Sequence, residues 1–375
     1  QARSTAMDSR SIKKSPDSDE ISILVGVHGF EKLYEFHTIR KSHSRHHLLL
    51  RAIDSYDDTI ITTRMSDRVF VLGAGAIGLA LAVHLSNHDR EVILLRTSRD
   101  DIEKSEVLIS MIDADDEIIT AQVEMTSLEK VETLDGLVVI TAKAFANEII
   151  AKSLGKRKLQ SPIVVMQNGL GVEQPFIEAG VPEIYRCILF VTSQKRDDYL
   201  IRFRPITQSP IGVIRGDSQG VKRVVDVLHT TGFPFSVEEK IQERIWEKVI
   251  LNSAYNSICP LLEVDNGIFQ RSEEVTHIAL EVIEECILVA AAVGINLEIE
   301  QLKQRLLAIS RAADGQNIST LEDILNGRET EIKSLNFEIS RIADEQVPKI
   351  PVKMTRLLGE LVQLKSMISR GIRSL

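Results

Sequence analysis

The chain has 375 residues, room for two domains, and its 43% hydrophobic and 26% charged residues are an ordinary globular mixture. A net charge of -9 argues against a general binder of nucleic acid or anionic membrane, while leaving room for a local basic pocket that holds a small anion. The three cysteines (Cys187, Cys259 and Cys286) form no CxxC pair and point to a reducing cytoplasm rather than a disulfide framework, and the longest apolar run, 286–295, falls short of the roughly 20 residues of a membrane span.

Residues 1–65 differ from the rest and are expected to be a poorly ordered extension, with one short strand over Ile21–Val27. Five of the nine histidines lie here, but Lys41-Ser42 and Ser44-Arg45 supply no further ligand around His43, His46 and His47, so no metal site is expected. Asp17, Asp19, Glu20, Glu31 and Glu35 are too many acids for a transit peptide, and no secretory signal is read at the start.

From Arg68 onward, strands and helices alternate. Strands are predicted at Val69–Leu72, Val92–Leu95, Gly136–Thr141, Ile163–Met166, Ile188–Val191 and Ile211–Ile214, with a helix over Ile77–Leu85. This alternation predicts an α/β domain of Rossmann type, with a mainly parallel sheet, over residues 66–239. Strands then stop. Helical periodicity over Gln242–Ile258, Val275–Val293, Glu298–Ala312, Glu329–Asp344 and Val352–Met367 predicts an all-α domain over residues 240–375.

The run Val69-Phe-Val-Leu-Gly73-Ala-Gly75-Ala76-Ile77-Gly78 places GxGxxG between a strand and a helix, the context a dinucleotide requires. Gly73 permits the tight turn, Gly75 lets backbone approach a pyrophosphate, and Gly78 lets the helix pack on the sheet. The helix N-terminus then offers free N–H groups to phosphate. An NAD site usually has an acid at the end of the second strand; here Arg96 stands there, followed by Thr97, Ser98 and Arg99, with no carboxylate before Asp100. A guanidinium suits a 2′-phosphate, so NADPH is the expected cofactor.

Lys248, Asn252 and Asn256 are four residues apart and share one stripe of a helix that also carries Trp246, Val249, Ile250, Ala254 and Ile258. Polar groups in that company need partners. They form either a satisfied structural network or a substrate site, in which an ammonium protonates a ketone oxygen and the amides hold hydroxyl and carboxylate groups.

Five pieces in order resemble the ketopantoate reductase family over roughly residues 66–370. They are the Gly73–Gly78 loop, Thr141-Ala-Lys143-Ala, Gln167-Asn168-Gly169-Leu-Gly171, Trp246-Glu-Lys248-x3-Asn252-x3-Asn256, and Ser319-Thr-Leu-Glu-Asp323-x4-Arg328-x-Thr330-Glu331-Ile332. The resemblance implies that Lys248 is the general acid and that Glu331 tunes or positions the reacting end. It implies that Asn252, Asn256, Ser319 and Asn168 hold substrate. It places Lys143 and Asn168 near the nicotinamide, beside the cofactor set Gly73, Gly75, Ala76, Ile77, Gly78 and Arg96. From the residues alone, Lys143 also reads as a first-turn surface lysine, Asn168-Gly169 as a turn, Ser319 as an N-cap and Glu331 as a solvated helical residue. Lys333, Phe337, Leu262 and Lys353 depart from the family pattern and bear on the shape of the substrate pocket.

The expected activity is NADPH-dependent reduction of 2-dehydropantoate to pantoate, a step of pantothenate and coenzyme A biosynthesis. The alternatives are a reductase of the same build for another branched 2-keto acid and a non-catalytic NADP-sensing protein. The expected partner is a small 2-keto acid, with no nucleic acid, membrane or metal; assembly with a second copy of the chain is left open.

Overall fold

The computed structural model describes residues 68–97, 103–157 and 159–372, together with the backbone of three short strands near the start of the chain. Those strands, β1 (Arg10–Lys14), β2 (Ile21–Val27) and β3 (Phe30–Tyr34), form an antiparallel sheet within a unit spanning Gln1–Arg64. The single strand expected at Ile21–Val27 is its central member, paired through Ile23 with both Ile12 and Tyr34. The five early histidines lie outside the described residues, as do Ser98, Arg99 and Asp100.

Met65–Leu375 is a second compact unit. Its sheet is built on β4 (Arg68–Leu72), β5 (Glu91–Arg96), β7 (Ile118–Ser127), β8 (Leu137–Ile140), β9 (Ile163–Val165) and β10 (Ile184–Cys187), which run in parallel in the order β7-β5-β4-β8-β9-β10. In order of position along the chain this is 3-2-1-4-5-6, the doubly wound arrangement of a dinucleotide-binding sheet. Strands β4, β8 and β9 are almost entirely buried, so they read as continuous apolar runs. The direction of winding reverses between β4 and β8, and ligands of such sheets bind at the carboxyl ends of the strands at that point.

Six strands of this unit were not foreseen. β6 (Ser105–Ile112) pairs antiparallel with β7, and the hairpin of β11 (Val191–Asp197) and β12 (Leu200–Pro205) adds on to β6. On the far side, β13 (Ser209–Arg215), predicted in part, pairs antiparallel with β10, and β14 (Phe235–Val237) completes an eleven-stranded sheet. β11 is exposed along most of its length and no apolar run marks it, whereas β6 has apolar residues from Val107 to Ile112 that were not read as a strand. β7 was missed as well, because polar residues interrupt its apolar ones. The strand predicted at Ile188–Val191 is corrected: the ladder ends at Cys187, and residues 188–190 form a linker to β11.

Helices α1 (Ala76–Ser86), α2 (Asn147–Lys156), α3 (Gln174–Glu178) and α4 (Ser218–Leu228) belong to this part of the chain. Beyond it come α5 (Ile241–Leu262), α6 (Ile268–Arg271), α7 (Glu273–Ala292), α8 (Ile299–Ala312), α9 (Ser319–Leu325), α10 (Asn336–Glu345) and α11 (Lys353–Ser369). Helix α5 is the spine of the helical region. Trp246, Ile250, Ala254 and Ile258 are buried in one core with Val282 and Cys286 of α7 and Leu302 and Leu306 of α8.

The helix predicted at Glu329–Asp344 is also corrected. Glu331 precedes a short 3₁₀ turn at Ile332–Ser334, and α10 starts only at Asn336. The backbone turns here because it is docked elsewhere: Leu170 N–H donates to Ser334 O at 2.9 Å. Glu331 therefore sits on a loop tied to the sheet domain, not on a solvated helix. No helix of the described residues is long and apolar enough to cross a membrane.

Candidate functional site

The glycine loop lies where the sheet reverses. Gly73 has φ +123°, and a Cβ there would fall 2.5 Å from Ala142 N, so the turn after β4 requires glycine. A Cβ on Gly78 would lie 1.9 Å from Gly73 O, so α1 can approach the loop only with hydrogen at that position. The Thr141 hydroxyl donates to Gly73 O at 2.9 Å and ties the loop to the end of β8. Gly75 differs: a Cβ there would meet nothing within 4 Å. It opens on free space at the N-terminus of α1, which has no side-chain cap and no acid in its first turn. Uncapped N–H groups beside an open glycine cradle, backed by Ala76 and Ile77, fit a pyrophosphate. Arg96, half-buried, ends β5 next to this loop; Gly73 N–H donates to the adjoining Leu95 O at 3.0 Å. Asp198, on the turn between β11 and β12, has its pKa lowered mainly by its bond to Lys195, with Arg96 the least of the contributions.

A second group of residues meets this edge from the helical region. Lys143, just after β8, forms an ion pair with Asp323 of α9 at 3.1 Å and lies 3.7 Å from Glu331. Burial pulls the lysine pKa down, but Glu331 and Asp323 together outweigh it and leave it raised. Lys143 is thus more than a first-turn surface lysine. Lys143 is partly exposed while Asp323 is buried, so an incoming ligand can reach the lysine side of the pair. Asp323 also accepts from Arg328 Nε at 2.9 Å. Asn168 Nδ2 donates to Glu331 at 3.3 Å, bringing another sheet-domain loop onto the same carboxylate.

Lys248 lies on the α5 face that looks toward β10. Its ammonium donates to Leu189 O at 2.8 Å and stands 5.6 Å from the centroid of the Phe190 ring. Both residues belong to the linker predicted as strand. Leaving the ladder frees the Leu189 carbonyl to accept from the lysine. Burial lowers the pKa of Lys248 to about 8; Cys187 and Glu331 act upward against it, and Arg186 acts downward. A lysine near that value gives up its proton far more readily than an exposed one. Arg244, one turn earlier, is instead paired with Glu238 and Glu247. Behind Lys248 is a cavity of about 10 Å³, no larger than one water, lined in part by Asn168, Arg186, Cys187 and Ile245.

Further along the stripe, Asn256 Nδ2 donates to Asn252 O at 3.0 Å, and the Ser319 hydroxyl reaches Asn256 Oδ1 at 3.5 Å. Ser319 is exposed and is the first residue of α9; the capping position is Ile318, so the N-cap reading does not apply. The structure thus forms two groups of candidates: Lys143, Asn168 and Glu331 in one, and Asn256 and Ser319 in the other, which Asn252 joins only through its backbone carbonyl. Lys248 is linked to the first through the field of Glu331. Sequence reasoning gave no role to Asp323, Phe190, the Leu189 carbonyl or Arg186. Arg186 carried a usable signal, a lone charge in the apolar run Ile184–Val191.

Of the four departures from the family pattern, two have partners among the described residues and two face solvent. Lys333 pairs with Glu329 at 3.1 Å on the surface. Phe337 packs beside Leu261 against Ile324, Ile332 and Val362. Leu262, the last residue of α5, is 51% exposed, and Lys353 opens α11 in solvent, so neither fills the space around Lys248.

Comparison with known proteins agrees with this architecture. Residues 69–216 match the family model described as ketopantoate reductase PanE/ApbA, and residues 240–366 match its C-terminal counterpart. A 2-dehydropantoate 2-reductase of Pyrococcus abyssi is 27% identical over 299 residues, covering 80% of this chain and 97% of the relative. The crystal structure of a PanE/ApbA family ketopantoate reductase from Ralstonia eutropha JMP134 superposes with a TM-score of 0.70 at 23% identity, covering 81% of this chain and 99% of that one. The ternary structure of a D-mandelate dehydrogenase with NADH and anilino(oxo)acetate gives 0.69 at 20% identity, covering 80% of this chain and 99% of that one. The two family models together take in both the glycine-loop sheet and the helix that bears Lys248, and on that ground the chain belongs to the ketopantoate reductase family of oxidoreductases.

Proposed function

We propose that this chain reduces 2-dehydropantoate to pantoate with NADPH, in pantothenate and coenzyme A biosynthesis. The observation that carries the reading is Lys248: a desolvated lysine titrating near 8, held at Leu189 O and placed in the field of Glu331. The curated relatives named 2-dehydropantoate 2-reductase support the substrate. Arg96, where an NAD site would have an acid, supports NADPH over NADH.

The loop Gly73–Gly78 would hold the cofactor and Arg96 its 2′-phosphate, and the bound cofactor would supply hydride for C2 of the keto acid. The chain's residues manage the charge that results. Negative charge develops on the former ketone oxygen, and the Lys248 ammonium stabilises it and delivers the proton. An ammonium has three donors, so Lys248 keeps its bond to Leu189 O while another N–H faces the substrate. Glu331, oriented by Asn168, favours the protonated amine and helps restore it after turnover. Asn252, Asn256 and Ser319 hold the hydroxyl and carboxylate end of the substrate. Lys143, now paired with Asp323, would help hold the nicotinamide end of the cofactor. The three free, buried thiols suit a reducing compartment such as the cytoplasm.

The test is NADPH oxidation against a panel of 2-keto acids containing 2-dehydropantoate and aromatic members. Highest kcat/KM for 2-dehydropantoate supports the reading. Preference for another acid would keep the chemistry and change the substrate. NADPH binding without oxidation by any keto acid would point to a sensing role.

A further inference from the structure

Arg186 has no role in the reaction as described, yet its setting is unusual. It stands on β10 between Tyr185 and Cys187, and it is only 2% exposed. A guanidinium so buried is retained only with good partners. Nη1 is bonded to Glu173, whose side chain is 13% exposed. Nη2 donates to Gln167 O at 3.2 Å and to Gly169 O at 3.0 Å, the two carbonyls that flank Asn168. Among the described residues Nε has no hydrogen-bond partner, although Arg186 and Lys248 both line the small cavity.

The same loop is held from the opposite side. The Ser334 hydroxyl contacts Asn168 O at 3.4 Å, and a Cβ on Gly169, at φ +103°, would fall 2.4 Å from Ser334 Cβ. Asn168 is therefore fixed at its backbone by two elements, and its amide is bonded to Glu331.

We propose that Arg186 is a positioning residue of this site: by clasping the carbonyls of Gln167 and Gly169 it fixes Asn168 on Glu331, and it places a permanent positive charge behind Lys248. This deepens the activity proposed above, and only its kinetic test rests on that reading. The charges that act on Lys248 where it titrates are Arg186 on β10 and Glu331 ahead of the 3₁₀ turn, and Cys187 of β10 also lies close by. The Cys187 thiol, pushed up to about 12 by burial, is neutral at working pH. Arg186 opposes Glu331 and adds to the effect of burial on the amine. Removing its charge shifts the titration of Lys248 upward.

Arg186→Met alone strands the Glu173 carboxylate in a largely buried place and can unfold the protein. The informative variant removes both charges, Arg186→Met with Glu173→Met, since a buried ion pair exchanged for apolar groups is often tolerated. Competitive labelling of the Lys248 amine with acetic anhydride, from neutral to alkaline pH and read by mass spectrometry, needs no substrate. The wild type is expected to show a midpoint near 8, and the double variant a higher one. In steady-state NADPH oxidation with 2-dehydropantoate, kcat falls roughly 10- to 100-fold, as expected when reacting groups shift by a fraction of an ångström to an ångström, with little change in NADPH affinity. Arg186→Lys keeps the charge but cannot span three acceptors, so it retains the pH profile and still loses kcat. A folded double variant with the wild-type midpoint and wild-type kcat overturns the proposal. If the wild type does not reduce 2-dehydropantoate, the activity reading fails, and the labelling midpoint alone decides the role of Arg186.

Discussion

Lys248 of α5 donates to the carbonyl oxygen of Leu189 at 2.8 Å, linking the helical region to the linker that leaves the sheet after β10. The bond fixes where the amine points, and the low-dielectric surroundings that bring its pKa to about 8 make it a usable acid near neutrality. Two kinds of pH dependence follow.

For reduction, Lys248 must carry its proton. We expect kcat to be level below pH 8 and to fall about tenfold per unit well above it, as a single group with a pKa of about 8 requires. The check is kcat against pH at saturating cofactor and keto acid. A profile still level at pH 10 would mean that Lys248 is not the titrating group.

For stability, the folded-state pKa of Lys248 lies below the ordinary lysine value of 10.5. Between the two values the unfolded chain binds more protons than the folded one, so the cost of keeping the amine is full below pH 8 and recedes toward pH 10.5. Lys248→Met should therefore raise Tm at pH 7, by an increment that shrinks as the pH is raised through that window. Equal Tm values for variant and wild type at every pH would show that the lysine is not desolvated.

The glycine loop allows a separation of folding from binding. Gly75 has φ -85° and open space where a Cβ would stand, so Gly75→Ala should fold with an unchanged Tm. Its methyl group would fill the approach to the pyrophosphate, and NADPH affinity should fall at least tenfold by titration. Gly78→Ala should lower Tm, because the added Cβ would clash with Gly73 O. Undiminished NADPH affinity in Gly75→Ala would place the phosphates elsewhere.

Arg96→Asp tests cofactor choice. Loss of a charge-assisted hydrogen bond should cost roughly 1.5–3 kcal/mol, about tenfold to a hundredfold in NADPH affinity, and should improve NADH relative to NADPH. An unchanged preference would show that another residue reads the 2′-phosphate.

The legible parts of the molecule were those where one physical requirement dominates a short stretch. The buried strands β4, β8 and β9 show as apolar runs, and the turn at Gly73 admits no side chain. The stripe Lys248, Asn252 and Asn256 shows by helical spacing. What escaped depends on contacts between distant segments. The apolar residues 188–190 read as strand, yet their backbone leaves the ladder to meet Lys248. Glu331 read as helical because charge and periodicity continue through it, whereas the turn at Ser334 is set by the loop around Leu170. Arg186 makes its bonds to carbonyls 17 and 19 residues away, and no local pattern encodes them.

Residues Gln1–Arg64 form a unit of their own, while every candidate site residue lies in Met65–Leu375. A chain beginning at Met65 should keep its kcat and KM within about twofold in the same assay. A soluble, folded protein of that length without activity would mean that the first unit contributes to the site.

The most direct measurement is turnover of Lys248→Ala with its preferred 2-keto acid, paired with an NADPH titration. The account predicts kcat lower by roughly 10²–10⁴-fold, the range for loss of a general acid, with NADPH affinity kept because Gly73, Gly75, Gly78 and Arg96 belong to the sheet domain. Lys248→Arg should not recover full activity, since a guanidinium does not give up its proton. Near-normal turnover in Lys248→Ala would contradict the account and move the search for the proton donor to Lys143 or a bound water.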